Sequence, residues 1–221
     1  MKIIFLFLFV LNTAYSFELK FDKVFELELM PDLLSADISI TINDTSEKRV
    51  LETLTTYSDF IKGFKEVDIK GGQYTVFPNY RFEKGRRYSN GYRGNMNYTI
   101  TSPNPNDLTA FLYKLEKKNQ FKHNVDISIQ SIHWKLSDKQ STNHYDELRL
   151  SAIKWSINYA NTLSSQLAKS CEIKVVNIFP SGSSPMPMAR DYATVRSESI
   201  AAPEQNFQKI KLLETLEIDC K

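Results

Sequence analysis

Tyr74, Val76, Pro78, Tyr80 and Phe82 share one parity of a run, and Tyr92, Gly94, Met96, Tyr98 and Ile100 share one parity of the next. Between the runs lies Glu83-Lys84-Gly85-Arg86-Arg87, a polar turn too short for a helix. A strand presents every second side chain to one face, so the two runs predict a long antiparallel hairpin. A lone hairpin is marginal in water, which commits the chain to a larger sheet with a covering layer. Pro78 has no N–H for a ladder, so its strand belongs at a sheet edge or carries a bulge there. Gly71-Gly72 breaks the pattern upstream, and Pro103 and Pro105 stop it downstream.

The same alternation recurs elsewhere. Phe25, Leu27 and Leu29 mark a first strand, Pro31-Asp32 turns the chain, and Ile38, Ile40 and Ile42 mark a second. Val125, Ile127 and Ile129 alternate, and Ile132, Trp134 and Leu136 continue with opposite parity, which a bulge near Gln130-Ser131 reconciles. Two more strands run through Ile173–Ile178 and Ile210–Ile218.

Three helical stripes interrupt the strands. Val50, Leu54, Tyr57, Ile61 and Phe64 predict a helix over 45–64, with Asp44 as its cap and Glu47 closing a capping box. Leu108, Phe111, Leu112 and Leu115 mark a second helix. The longest spans 144–169, with Leu148, Ala152, Trp155, Tyr159 and Leu163 on one stripe and Ile153, Ile157, Ala160 and Leu167 beside it. So wide an apolar face calls for burial on more than one side, by a sheet or by another subunit. Hairpins with intervening helices give an α+β sheet-and-helix architecture, with one long helix before the C-terminal strand pair.

The N-terminus reads as an export signal. Lys2 precedes an apolar run from Ile3 to Leu11, and Ala14 and Ser16 are small residues at the spacing of a peptidase site. Residues 1–16 are the expected leader, cleaved between Ser16 and Phe17, leaving a domain over 17–221 that can divide into two intertwined subdomains. The run is shorter than the roughly 20 residues of a spanning helix, and no later segment is apolar enough to be one. A net charge of +2, less Lys2 with the leader, gives no reason to expect nucleic acid, a strongly anionic membrane or a polyanionic partner.

Cys171 and Cys220 are the two cysteines. In an exported chain such a pair reads first as a disulfide, and the C-x-x-C spacing of a metal or redox pair is absent. Placing Cys171 opposite Cys220 in an antiparallel pair sets Ile173 against Ile218, Val175 against Leu216, Asn177 against Glu214 and Phe179 against Leu212.

Several segments together resemble one family. The hairpin "YTVFPNYRFEKGRRYSNGYRGNMNYTI" carries P-x-Y at 78–80 and G-Y-R-G at 91–94, similar to the P-x-Y … G-Y-x-A hairpin of SIMPL-domain proteins. "AIKWSINYANTLSSQLA" at 152–168 stands where that family has an alanine-rich helix, and "NIFPSG" at 177–182 matches its following strand. The long helix here has few alanines, and the cysteine pair is an addition. The resemblance implies a periplasmic or envelope location, homo-oligomeric assembly, association with the envelope and a part in oxidative-stress defence. It carries over no catalytic residue.

The residues themselves give no catalytic, cofactor-binding or metal site. His123, His133 and His144 lack ligand spacing. Arg86, Arg87 and Arg93 interleave with Tyr88 and Tyr92 as in a stacking platform, but a charged hairpin tip is the simpler reading. Met186 and Met188 could serve as soft copper ligands, but two methionines in a proline-rich loop fit gap-filling better. The expectation is therefore a protein that is not an enzyme, needs no cofactor and acts by assembly or binding. The alternative is a periplasmic module for a small ligand, with loop 180–207 as its lid.

Overall fold

A computed structural model describes residues 16–120, 123–181 and 202–221. Residues 1–15 of the expected leader, and residues 182–201 of the loop with Met186 and Met188, lie outside the described residues. In chain order the elements are β1 (Phe17–Leu29), β2 (Leu33–Asp44), α1 (Glu47–Lys62), β3 (Asp68–Glu83), β4 (Arg86–Ser102) and α2 (Pro105–Asn119). They continue as β5 (Val125–Lys135), α3 (Asp138–Leu167), β6 (Cys171–Ser181) and β7 (Gln208–Cys220). The fold is α+β with antiparallel sheets and the long helix before the last two strands, as predicted. The chain forms two compact units interleaved in sequence, one holding β1, β6, β7 and most of α3, the other holding β2 to β5 with α1 and α2.

In the second unit the sheet order is β3-β4-β2-β5. With helices after β2 and β4, this is the split β-α-β arrangement of a ferredoxin-like fold. Central β2 buries its whole inner parity: Leu34, Ala36, Ile38, Ile40 and Ile42 are at most 1% exposed. Against them pack Met96, Tyr98 and Ile100 of β4, Val50, Leu54, Tyr57 and Ile61 of α1, and all four predicted residues of α2. On the outer parity, the Thr99 and Ser131 hydroxyls donate to Asp37 at 2.8 and 2.9 Å, which satisfies a carboxylate in mid-sheet.

Both readings of Pro78 are realised: β3 is an edge strand, and its register with β4 shifts between Pro78 and Tyr80. The turn is Lys84-Gly85, with φ of 47° and 76°. Positive φ at both central residues is the turn that follows the native twist of a two-residue hairpin. Gly71-Gly72, expected to interrupt the strand, instead bulges it: β3 begins at Asp68 and its register shifts between Gly71 and Tyr74. Gly71 has φ of +106°, and an added Cβ would sit 2.5 Å from the Asn97 carbonyl oxygen. The bulge expected in β5 falls at Gln130, since Asp37 pairs with Ser131 and Ile38 with Ile129.

The cap of α1 differs from the expectation. Ser46, not Asp44, is the N-cap, because β2 continues through Asp44. Asp44 anchors the turn from outside it, accepting the Ser46 N–H at 3.0 Å and the Arg49 Nε at 2.8 Å. The Ser46 N–H first, and Arg49 after it, hold its carboxyl below the ordinary range. Glu47 is then the first helical residue and closes no box.

In the first unit the order is β1-β7-β6, so the strands flanking Pro31-Asp32 belong to different sheets and do not pair. Asp32 instead accepts the Ser137 N–H at 2.7 Å. The Lys20–Glu217, Thr215–Asp22, Lys211–Glu26 and Lys209–Glu28 contacts step one residue for one in opposite directions, which fixes β1 and β7 as antiparallel. Cys171 pairs with Cys220 and Ile173 with Ile218, as predicted. The register then shifts by one, setting Val176 opposite Leu216, Asn177 opposite Thr215 and Ile178 opposite Glu214. Lys174 is the extra residue that makes the shift, and an edge strand tolerates such a bulge.

α3 starts at Asp138 rather than 144. Its first turns are polar and show no stripe; the Ser137 hydroxyl caps them by accepting the Gln140 N–H at 3.1 Å. Ala168, at φ of 52°, ends the helix in the left-handed region.

Candidate functional site

Cys171 opens β6 and Cys220 closes β7, and the two are joined as a disulfide. Both are buried in a cluster with Ala160, Leu216 and Ile218, against which Phe17, Leu19, Phe21, Trp155 and Tyr159 pack. The bridge is therefore part of a core and not an exposed redox pair. Phe17, the first residue the expected cleavage would leave, is also the first residue of β1. The Ser16 hydroxyl donates to Asp219 at 3.4 Å.

Sequence reading missed the one acidic residue in this core. Glu214 is fully buried on the inner parity of β7, among Leu212, Leu216 and Ile218. One carboxyl oxygen meets the hydroxyl of Ser156, itself fully buried on α3, and the other has no hydrogen-bond partner among the described residues. The Ser156 hydroxyl also lies 3.0 Å from the Ala152 carbonyl. The β1–β7 register puts Lys23 opposite Glu214, on the same sheet face, with its ammonium 3.7 Å from the centroid of the Trp155 ring. A buried carboxyl with an unpaired oxygen costs stability. Glu214→Met is expected to raise the stability of this unit by about 1–2 kcal/mol. Ser156→Ala is expected to lower it by about 1–3 kcal/mol by stripping the remaining partner. The double variant should then behave as Glu214→Met alone in urea denaturation. Loss of stability in Glu214→Met would show that Lys23 more than offsets the burial.

The opposite parity of this sheet is a charged ladder, with Lys20–Glu217, Lys211–Glu26 and Lys209–Glu28 across β1 and β7. The pairs raise the ammoniums of Lys20 and Lys209 and lower the Glu26 carboxyl through direct hydrogen bonds. These are solvated ion pairs, of little energetic weight.

α3 divides its apolar residues unequally. Leu148 and Ala152 are buried, and Trp155, Tyr159 and Leu163 half-buried, as the first stripe predicts. Of the second stripe, Ala160 is buried and Leu167, the last helical residue, is 45% exposed, while Ile153 and Ile157 are 41% and 49% exposed. Leu150, which the sequence reading passed over, is 52% exposed and extends them at i, i+3, i+7 spacing. The sheet covers one side of the helix, and three aliphatic side chains face outward on the other.

The hairpin tip carries a second exposed apolar group. β2 pairs with β4 only as far as Tyr92, so residues 79–91 form a two-stranded arm. Every residue from Tyr80 to Asn90 is exposed, Phe82 at 74%. The Arg87 guanidinium lies 3.4 Å from the Tyr80 ring centroid. Arg93 stands opposite Phe77 and Tyr92 opposite Pro78, at the base of the arm.

The histidines are dispersed. His123 and His133 are exposed, with His133 Nδ1 3.3 Å from the Ser131 hydroxyl, and His144 Nδ1 lies 2.9 Å from Glu147. No group of three metal-ligating side chains is found among the described residues. A small open cleft between α1 and α2 is lined by Glu52, Thr53, Thr56, Tyr57 and Lys118. Burial pushes the Tyr57 hydroxyl up, and it donates to Asn119 at 2.9 Å.

No curated protein matches the chain. Among solved structures, the de novo designed protein Foldit4 matches at 10% identity over 47% of this chain and 98% of that one, with a TM-score of 0.26. A putative amidohydrolase/peptidase from Burkholderia cenocepacia matches at 7% identity over 63% of this chain and 34% of that one, with a TM-score of 0.32. Likenesses this distant support no argument about fold or activity. The family profile for SIMPL, described as a protein of unknown function (DUF541), matches residues 25–216. That span runs from mid-β1 into β7 and takes in both units, and so the chain belongs to the SIMPL family.

Proposed function

We propose that this is a non-enzymatic periplasmic or envelope protein that works by assembling with copies of itself. The observation that carries the reading is the open stripe of Leu150, Ile153 and Ile157 on α3. A contiguous exposed apolar stripe on a helix marks an association surface. A stripe confined to one helix suits an isologous contact, in which the same patch serves both copies. The non-enzymatic part of the reading rests on the sequence, which takes over no catalytic residue from the family it resembles. Export is supported by the leader-like N-terminus and by the disulfide, and a part in oxidative-stress defence by the family resemblance alone.

Light scattering on the mature, oxidised protein tests this. The expected mass is a whole multiple of the mature chain, falling to a single chain in Ile153→Asp/Ile157→Asp with the circular dichroism unchanged. A monomer at every concentration would contradict assembly. The ligand-binding alternative needs a pocket beneath loop 180–207. Residues 182–201 lie outside the described residues, and the cleft described above is lined by α1 and α2 instead.

A further inference from the structure

We infer that the β3–β4 arm, residues 79–91, docks this protein on an anionic phospholipid surface. The arm presents aromatic residues on both of its faces. Side chains alternate along β3, so within the arm Tyr80 and Phe82 share one face and Arg81 lies on the other, with Phe77 just beyond the arm's base. Arg87 pairs with Phe82 and Tyr88 with Arg81, which adds Arg87 to the first face and Tyr88 to the second. Phe77, Tyr80, Phe82 and Tyr88 are each between 39% and 74% exposed.

The charge is as one-sided as the aromatics are two-sided. Arg81, Lys84, Arg86 and Arg87 face a single carboxylate, Glu83, within 79–91, a net of +3. Arg81 pairs with Glu83 at 3.4 Å, while Lys84, Arg86 and Arg87 have no ion pair among the described residues. On the β1–β7 face, by contrast, Lys20, Lys209 and Lys211 each pair with a carboxylate. The arm therefore offers uncompensated positive charge that complements anionic headgroups.

Geometry selects a lipid surface over other anionic partners. A platform that stacks single-stranded nucleic acid lines up aromatics along one positively charged groove. A ribbon bearing aromatics front and back can satisfy both faces at once only in a medium that surrounds it, as an interfacial layer does. Tyrosine and arginine are also the side chains whose mixed character suits that layer. The depth is limited. Among the described residues both arm edges carry unpaired backbone groups, because β3 is the sheet edge and β2 has already ended beside β4. Such groups are costly in hydrocarbon, so the arm enters the headgroup region and does not span. With four residue pairs, Tyr80–Glu83 against Arg86–Ser89, it reaches about 13 Å. This inference does not depend on assembly through α3.

The test is flotation of the mature, oxidised protein with vesicles of phosphatidylglycerol and phosphatidylethanolamine, and with phosphatidylcholine vesicles as control. Binding is expected to the anionic vesicles alone and to weaken as salt rises. Arg86→Glu/Arg87→Glu should weaken it by at least roughly 30-fold. Tyr80→Ala/Phe82→Ala should abolish it, and Phe82→Trp should give a blue-shifted emission on vesicles. Glu83→Gln should strengthen binding to the anionic vesicles by about fivefold, with the circular dichroism unchanged and phosphatidylcholine vesicles still unbound. The inference is overturned by absence of flotation at low salt, by flotation that these variants leave unchanged, or by arm-dependent binding to an oligonucleotide in place of vesicles. Arm variants that dissociate an oligomer while vesicle binding is absent overturn it as well.

Discussion

Replacing Cys171 and Cys220 together by serine is expected to lower the stability of the β1–β7–β6 unit by roughly 4 kcal/mol, a large share of what holds a small domain. The bridge spans 49 residues of sequence. In the unfolded chain a link of that length removes many conformations, and removing it restores them. The native state loses contacts too, since both cysteines are buried against Leu216 and Ile218. At this end the Ser170–Lys221 backbone pair remains, with bonds of 3.1 and 2.9 Å, beside the bond from the Cys171 N–H to the Ser164 hydroxyl at 2.9 Å. Trp155 packs in the same cluster, so its fluorescence in a Trp134→Phe background reports the loss. Urea denaturation with and without reductant should separate the two midpoints clearly. Coincident midpoints would mean that the sheet is held without the bridge.

Gly91→Ala is the second large effect, at roughly 2–3 kcal/mol destabilising. Gly91 has φ of +80°, and a Cβ there would lie 2.3 Å from the Asp44 carbonyl oxygen. The neighbour is backbone at the end of β2, which cannot rotate away. Gly85 supplies the control: its φ is +76°, with nothing within 4 Å of an added Cβ. Gly85→Ala should cost only the left-handed strain, about 1 kcal/mol. The difference between the two midpoints therefore isolates the clash. Equal losses would show that the β2–β4 junction gives way at little cost. The same contact explains the first glycine of the G-Y-R-G motif. The second, Gly94, lies beneath α1, where a Cβ would meet Val50 Cγ1 at 2.5 Å.

What could be read from the sequence was what local periodicity encodes. The hairpin, the Pro78 irregularity, the Gln130 bulge and the cysteine pairing all follow from parity along a strand or from chemistry confined to a few residues. The partition into two sheets did not follow, because β1 and β2 are equally amphipathic and the turn at Pro31-Asp32 suits a hairpin as well as a crossing. The register of β6 was correct until Ile173 and then slipped, since a one-residue bulge at an edge leaves only the doublet Val175-Val176 as its trace. The first turns of α3 were invisible because Asp138–Asn143 has no stripe to detect. Glu214 could have been found: it occupies the parity of Ile210, Leu212, Leu216 and Ile218, where the alternation demands an apolar residue. The open stripe of α3 was legible as excess apolar width, but the sequence could not say which half the sheet would cover.

Assembly through that stripe is tested most directly by a single added thiol. Ile153 lies on the stripe, while Asn158 is exposed on the same helix away from it. The mature Ile153→Cys protein, with its native bridge intact, should form a disulfide-linked pair of chains under mild oxidation at micromolar concentration, and Asn158→Cys should not. Cross-linking from neither variant, or equally from both, would contradict assembly through α3.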